Sequence, residues 1–258
     1  FPPEFDIRVS RQGGRQRVEY HTPVGMVSAT VHYDIEVQRL GITIPTIVDH
    51  LIKRPEDYEP AGWLFEHLRD KVGWDVELFH DAHGRLSPIQ AARLAKSVEP
   101  YRLMFLEDPI SPENVEGMRI VRQASTTPLG IGEIISSKFQ IMPMLLEQTI
   151  DYMRCSPMHI GGITEGKKLA AMAEPFDIRT AFHGPGDVGP IGAAASAHVG
   201  MAIPNFGIQE WVRHADIVHE VMTGGAWFED GYLKLPDTPG LGVDINEELV
   251  SRFPWHRK

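Results

Sequence analysis

Cysteine is nearly absent from this 258-residue chain. Cys155 stands alone, which excludes an intramolecular disulfide and any zinc site built on several thiolates. Long apolar runs are missing too, none approaching the roughly 18 to 20 residues that span a bilayer. Positive charge is in the minority: 25 Lys and Arg face 35 Asp and Glu, a formal net charge of −10. That balance argues against nucleic acid or an anionic membrane as the main partner. It leaves room for small anionic substrates, which a local metal or arginine can hold. The first residues carry no basic-then-apolar leader pattern, and a lone thiol suits a reducing compartment, so a cytoplasmic protein is expected. The chain opens at Phe1 rather than Met, as a processed, truncated or fragmentary chain would.

What is present is ordinary globular composition, 42% hydrophobic and 23% charged, at a length that suits one α/β barrel or two smaller domains. Residues 17–35 alternate apolar and polar (Val18, Tyr20, then Val27, Ala29, Val31, Tyr33) around Pro23-Val24-Gly25, the pattern of paired strands. Residues 42–52 are mostly apolar and β-branched, and Arg54-Pro55-Glu56-Asp57-Tyr58 reads as a helix start. From Gly62 the pattern becomes periodic. Six short apolar runs each end in a polar residue: Asp81, Glu107, Glu133, Arg154, His183 and Glu210. Helical stretches follow, including Pro88–Val98 with Ser87 as its N-cap. The polar ends recur every 21 to 29 residues, the length of a strand-plus-helix unit. A TIM-type (β/α) barrel is therefore expected, with its active site at the strand C-termini.

The anchor of the pattern is His80-Asp81-Ala82-His83. Residues i and i+2 on a strand face the same way, so Asp81 and His83 emerge together. Alone, the motif is a weak signal and reads more readily as a polar loop. Asp81, Glu107 and Glu133 end three consecutive strands, and three like charges that close are costly without a cation among them. An all-oxygen set favours a hard ion such as Mg²⁺. The competing reading is that these carboxylates compensate helix N-terminal dipoles. His183 precedes Gly184-Pro185-Gly186, where backbone can approach a ligand closely, or it holds a purely structural hydrogen bond. Glu210 reads as a hydroxyl acceptor or as half of a buried salt bridge. Arg154 could orient a carboxylate or an acidic neighbour. Asp108, before Pro109, reads as the start of a loop. Cys155 reads as core, His159 as an ordinary loop residue sooner than a rim one, and Trp74, Trp211, Trp227 and Trp255 as packing or tail docking.

Several of these motifs together resemble the enolase superfamily, nearest its mannonate dehydratase group, over residues 62–258. They are His80-Asp81-Ala82-His83, Phe105-Leu106-Glu107-Asp108-Pro109 with Glu113-Asn114, Gly132-Glu133-Ile134, Asp151-Tyr152-Met153-Arg154 and Gly161-Gly162-Ile163-Thr164. Phe182-His183-Gly184 with Asp187, Pro204 to Glu210, and Thr238 to Asp244 complete the match. The resemblance implies an acid-sugar dehydratase, a hydro-lyase acting through a metal-stabilised enediolate. It implies Asp81, Glu107 and Glu133 as Mg²⁺ ligands and His83 as the acid/base. Arg154, His183, Asp187 and Glu210 would line the site for a small acid sugar, in a homo-oligomer. A racemase or epimerase on the same chemistry, or a silent relative, are the alternatives.

The resemblance also has gaps. The family carries an N-terminal capping domain, apparently absent or replaced here, and a Tyr–Arg pair supplying the α-proton base, which neither Tyr33 nor Tyr58 can be matched to. The opening 60 residues instead look like uroporphyrinogen-decarboxylase-like proteins, through Arg17 to Gly25 and His50 to Tyr58. The expected organisation is an atypical segment over 1–60, supplying two barrel strands from 18–52, and a barrel portion with its tail over 61–258.

Overall fold

Two-residue turns decide how the first strands pair. In the computed structural model, which describes residues 5–32, 46–49, 51, 53–186 and 188–252, β1 (Asp6–Gln12) and β2 (Arg15–Thr22) are joined by Gly13-Gly14. Both glycines have positive φ, 55° and 74°, as a tight hairpin requires. Pro23-Val24 turns β2 into β3 (Gly25–His32), with Thr22 Oγ1 donating to the Gly25 carbonyl at 2.7 Å. β4 (Thr46–Asp49) completes a four-stranded antiparallel sheet in the order β1-β2-β3-β4. Among the described residues, the 18–52 segment thus does not supply two strands to the parallel sheet. Turns this short close antiparallel hairpins, whereas parallel pairing needs a crossover of a dozen residues or so.

Buried Asp57 starts the next element by accepting hydrogen bonds from the Lys53 and Arg54 amides at 2.8 and 3.2 Å. Helix α1 (Tyr58–Val72) follows and packs on β2 and β3. Because of that packing, the chain divides into the compact units Phe1–Glu77 and Leu78–Lys258 rather than after residue 60.

The second unit holds a six-stranded, all-parallel sheet of β5 (Phe79–Asp81), β6 (Phe105–Glu107), β7 (Leu129–Ile131), β8 (Tyr152–Met153), β9 (Arg179–Phe182) and β10 (Phe206–Gln209). Spatial order follows chain order, with no strand inserted between neighbours. Helices α2 (Pro88–Ser97), α3 (Val115–Ala124), α4 (Lys138–Leu146), α5 (Ile163–Ala173) and α6 (Pro190–Met201) make the crossovers. This is the parallel portion of a (β/α) barrel. Ser87 caps α2 in a reciprocal box with Gln90, and Asn114 caps α3 through the Gly117 amide at 2.8 Å. Leu106, Leu129, Ile131 and Met153 join Met118 and Leu145 in one buried core.

Alternation within the strands sets the other face. Phe105 lies 5.1 Å from Phe79 and 5.0 Å from Tyr152, ring to ring, forming an aromatic layer. Gly130 makes room for it, since a Cβ there would sit 2.6 Å from the Phe105 ring. Two residues further along these strands come Asp81, Glu107, Gly132 and Arg154, the next layer toward the C-terminal ends.

After β10 come α7 (Asp216–Val221), the pair β11 (Met222–Gly224) with β14 (Val243–Ile245), the hairpin β12 (Trp227–Glu229) with β13 (Tyr232–Lys234), and α8 (Glu247–Val250). Among the described residues no helix is long and apolar enough to cross a membrane.

Candidate metal and substrate site

Strand ends bring the charged residues together. Glu107 is the last residue of β6 and is only 2% exposed. Arg154, one residue past β8, donates from Nε to Glu107 Oε1 at 2.6 Å, from Nη1 to the Ala181 carbonyl at 3.0 Å and from Nη2 to Glu210 Oε2 at 3.0 Å. Arg154 therefore orients acidic side chains, and Glu210 forms an ion pair with it that is buried only on the arginine side, the Glu210 side chain being 32% exposed. The same Glu210 oxygen accepts from the Gly184 amide at 3.0 Å. Gly184 packs so tightly that any Cβ would fall 2.5 Å from the Glu210 carbonyl oxygen. This fixes the loop that carries His183.

Glu133 lies between two histidines. Its Oε1 is 3.3 Å from His83 Nδ1 and its Oε2 is 3.5 Å from His183 Nε2. His83 has a left-handed backbone, φ 54°, which lets its amide and ring both reach Asp81, at 2.6 Å to Oδ1 and 3.0 Å to Oδ2. Asp81 and His83 thus face one another as a pair at the open mouth, with side chains 38% and 55% exposed.

Among the described residues, Glu107, Asp108 and Glu133 form a buried trio whose carboxylate oxygens lie within 4.8 Å of one another. Asp108, which the following proline marks as a loop start, instead belongs to the site. Its φ of 33° turns it off the strand line and inward, where its Oδ1 accepts from the Gly132 amide at 3.2 Å. Two successive acids at the end of an apolar strand were the available signal. Asp81 stands at the edge of this trio, near enough for its charge to act on all three members.

Electrostatics marks the cluster as a place for a cation. Burial, against the attraction of Arg154, pushes the Glu107 carboxyl up to about 7. Burial and then the Glu133 charge push Asp108 up to about 8. Glu133 is also raised by burial, against the pull of His83. His83 is raised, first by its hydrogen bond to Asp81. Carboxyls so desolvated ionise together only when a positive charge joins them. The donors are all oxygen, so the residues present fit a hard divalent ion.

Of the other sequence candidates, Asp187 and Trp255 lie outside the described residues, as does Tyr33. His159 is exposed, its ring 6.1 Å from that of His183. Cys155 is fully buried, and that environment raises its thiol pKa strongly. Trp74, expected as packing, is 60% exposed, with the Arg69 guanidinium 4.9 Å from its ring.

Comparison with known proteins adds an independent line. The family model for the enolase C-terminal domain-like domain matches residues 55–249. A D-galactonate dehydratase family member from Musicola paradisiaca is 47% identical over 201 residues, 78% of this chain and 48% of that protein. A D-mannonate dehydratase from Caulobacter vibrioides is 47% identical over 194 residues, 75% of this chain and 48% of its own length. The chain thus spans about half the length of the curated relatives it matches. Among solved structures, a Pantoea ananatis enolase with bound D-gluconate and Mg superposes with a TM-score of 0.74 at 45% identity, over 81% of this chain and 50% of that one. A putative dehydratase from Salmonella Typhimurium gives 0.72 at 30%, over 78% and 50%. None of these matches supports the likeness of the opening 60 residues to uroporphyrinogen-decarboxylase-like proteins.

Proposed function

The chain belongs to the enolase C-terminal domain-like family, and on that premise we propose that it carries the metal and acid/base half of a Mg²⁺-dependent acid-sugar dehydratase site. The observation that carries the reading is the buried carboxylate group at the strand ends, with His83 against it. Glu107 and Glu133, with Asp81 at the rim, would hold the ion. When bound, Mg²⁺ stabilises the negative charge that develops on a substrate carboxylate as its α-proton leaves.

Protonation of the leaving group and positioning of the substrate belong to the side chains of this half of the site, and the α-proton goes to a base outside it. His83, kept protonated by Asp81, delivers its proton to the departing β-hydroxyl. Arg154 holds Glu107 and Glu210 in fixed orientation, so neither carboxylate swings when substrate enters. His183 and Glu210 offer hydrogen-bonding groups to sugar hydroxyls. Relatives named for D-galactonate and D-mannonate dehydratase, and a solved enolase with bound D-gluconate, support an acid sugar as the substrate class. A homo-oligomer in the cytoplasm remains part of the proposal on the family likeness and the lone thiol.

A racemase reading draws on one feature, the placement of His83 and His183 against the two different oxygens of Glu133. The test is a panel of acid sugars incubated with Mg²⁺ in D₂O. Dehydration gives a 2-keto-3-deoxy product that disappears in His83→Asn. Deuterium incorporation without that product favours racemisation, and neither outcome in a folded, Mg²⁺-binding chain overturns both.

A further inference from the structure

Asp108 bonds to both of the loops that flank it. Its carbonyl accepts from the Gly84 amide at 2.6 Å, one residue beyond His83. Its side-chain Oδ1 accepts from the Gly132 amide at 3.2 Å, one residue before Glu133. Its own amide donates to the Gly130 carbonyl at 2.9 Å. The residue is 2% exposed and adopts φ 33°, a conformation non-glycine residues rarely take.

The Gly132 end is equally constrained. Gly132 has φ 137°, and a Cβ there would lie 2.9 Å from Cys155 Sγ and 3.0 Å from the Cys155 amide nitrogen. The Arg154 amide donates to the Ile131 carbonyl at 2.7 Å, so the turn is pressed against the neighbouring strand. Gly132 is buried, and without Asp108 its N–H would face the interior with no acceptor, a costly state for a backbone donor.

We propose that Asp108 is a positioning residue for the metal site: through Gly132 N–H it aims Glu133, and through its carbonyl it holds the loop of His83. The proposal rests on the Mg²⁺ reading above for what Glu133 does, but not for the hydrogen bonds themselves. What Asp108 supplies is an acceptor oxygen of fixed position, not a negative charge. Asn keeps that oxygen and Ala removes it.

Two measurements separate this proposal from the reading it builds on. In metal-free protein, the Gly132 amide should exchange with solvent at least tenfold faster in Asp108→Ala than in wild type, and at the wild-type rate in Asp108→Asn. In Mg²⁺ titration calorimetry, Asp108→Ala should bind about 10- to 100-fold more weakly, the range for removing an outer partner of a ligand, with Asp108→Asn within about threefold of wild type. Asp108→Ser, whose side chain is too short to reach Gly132, replaces Asp108→Ala if that variant does not fold. An unchanged Gly132 exchange rate in Ala or Ser overturns the proposal. So does a loss of affinity in Asp108→Asn equal to that in Asp108→Ala, since the charge would then be what matters. Wild type that binds no Mg²⁺ sinks the metal reading and leaves the exchange measurement to judge Asp108.

Discussion

Arg154 and Glu107 form an ion pair at 2.6 Å with side chains only 5% and 2% exposed. A buried pair of this kind offers little net stability, but removing one partner strands a charge. Arg154→Met should therefore destabilise the chain by about 3–5 kcal/mol in urea unfolding, and adding Glu107→Gln should recover part of that loss. A simple sum of the two single effects would contradict the pairing.

Stability should fall with rising pH in metal-free protein. Burial pushes the folded Glu107 and Asp108 carboxyls up to about 7 and about 8, above their ordinary 4.5 and 3.8, so the folded state holds more protons between those values. His83, raised above 6.5, acts in the same direction. Glu99 and Glu165, both lowered to about 2 by lysine and hydrogen-bond partners, lose their contribution only below their ordinary 4.5. Unfolding curves in a chelator should thus show a maximum near the ordinary carboxylate range and a decline toward pH 8, which Mg²⁺ reverses. A flat profile from pH 5 to 8 would contradict the raised carboxyls.

Mg²⁺ binding at neutral pH should release protons for the same reason, because a ligand carboxyl must be ionised to bind. Calorimetry in two buffers of different ionisation enthalpy counts them. Release that shrinks from pH 6.5 to pH 9 supports the site, and a count of zero at both argues against Glu107 as a ligand.

Gly130 is required by the ring of Phe105 beside it. Gly130→Ala should cost ~1–3 kcal/mol of stability through overpacking. In a double-mutant cycle with Phe105→Leu the combined loss should be smaller than the sum of the two, since the smaller side chain vacates the clash.

Much of the barrel portion could be read from the sequence because each strand announces itself twice, by an apolar run and by the polar residue that ends it. Asp81, Glu107, Arg154 and Glu210 all stand where that pattern placed them, and Ser87 caps the helix it was assigned to. The opening strands could be read as strands but not by partner. Alternation carries a period and no pairing information, and the deciding signal was the length of the turns at Gly13-Gly14 and Pro23-Val24. Asp108 was missed because a residue before proline suggests a loop leaving the strand, whereas its left-handed φ returns the carboxylate to the interior. The double role of Glu210 depends on an Arg154 that is 56 residues away in sequence, a distance no local pattern spans.

Turnover of an acid-sugar panel at saturating Mg²⁺, by wild type and Glu107→Gln side by side, tests the metal-dependent dehydratase site. Wild type should give a 2-keto-3-deoxy product, and a folded Glu107→Gln whose Mg²⁺ affinity has dropped should give none. Equal product from both, or none from wild type that binds Mg²⁺, would contradict that reading.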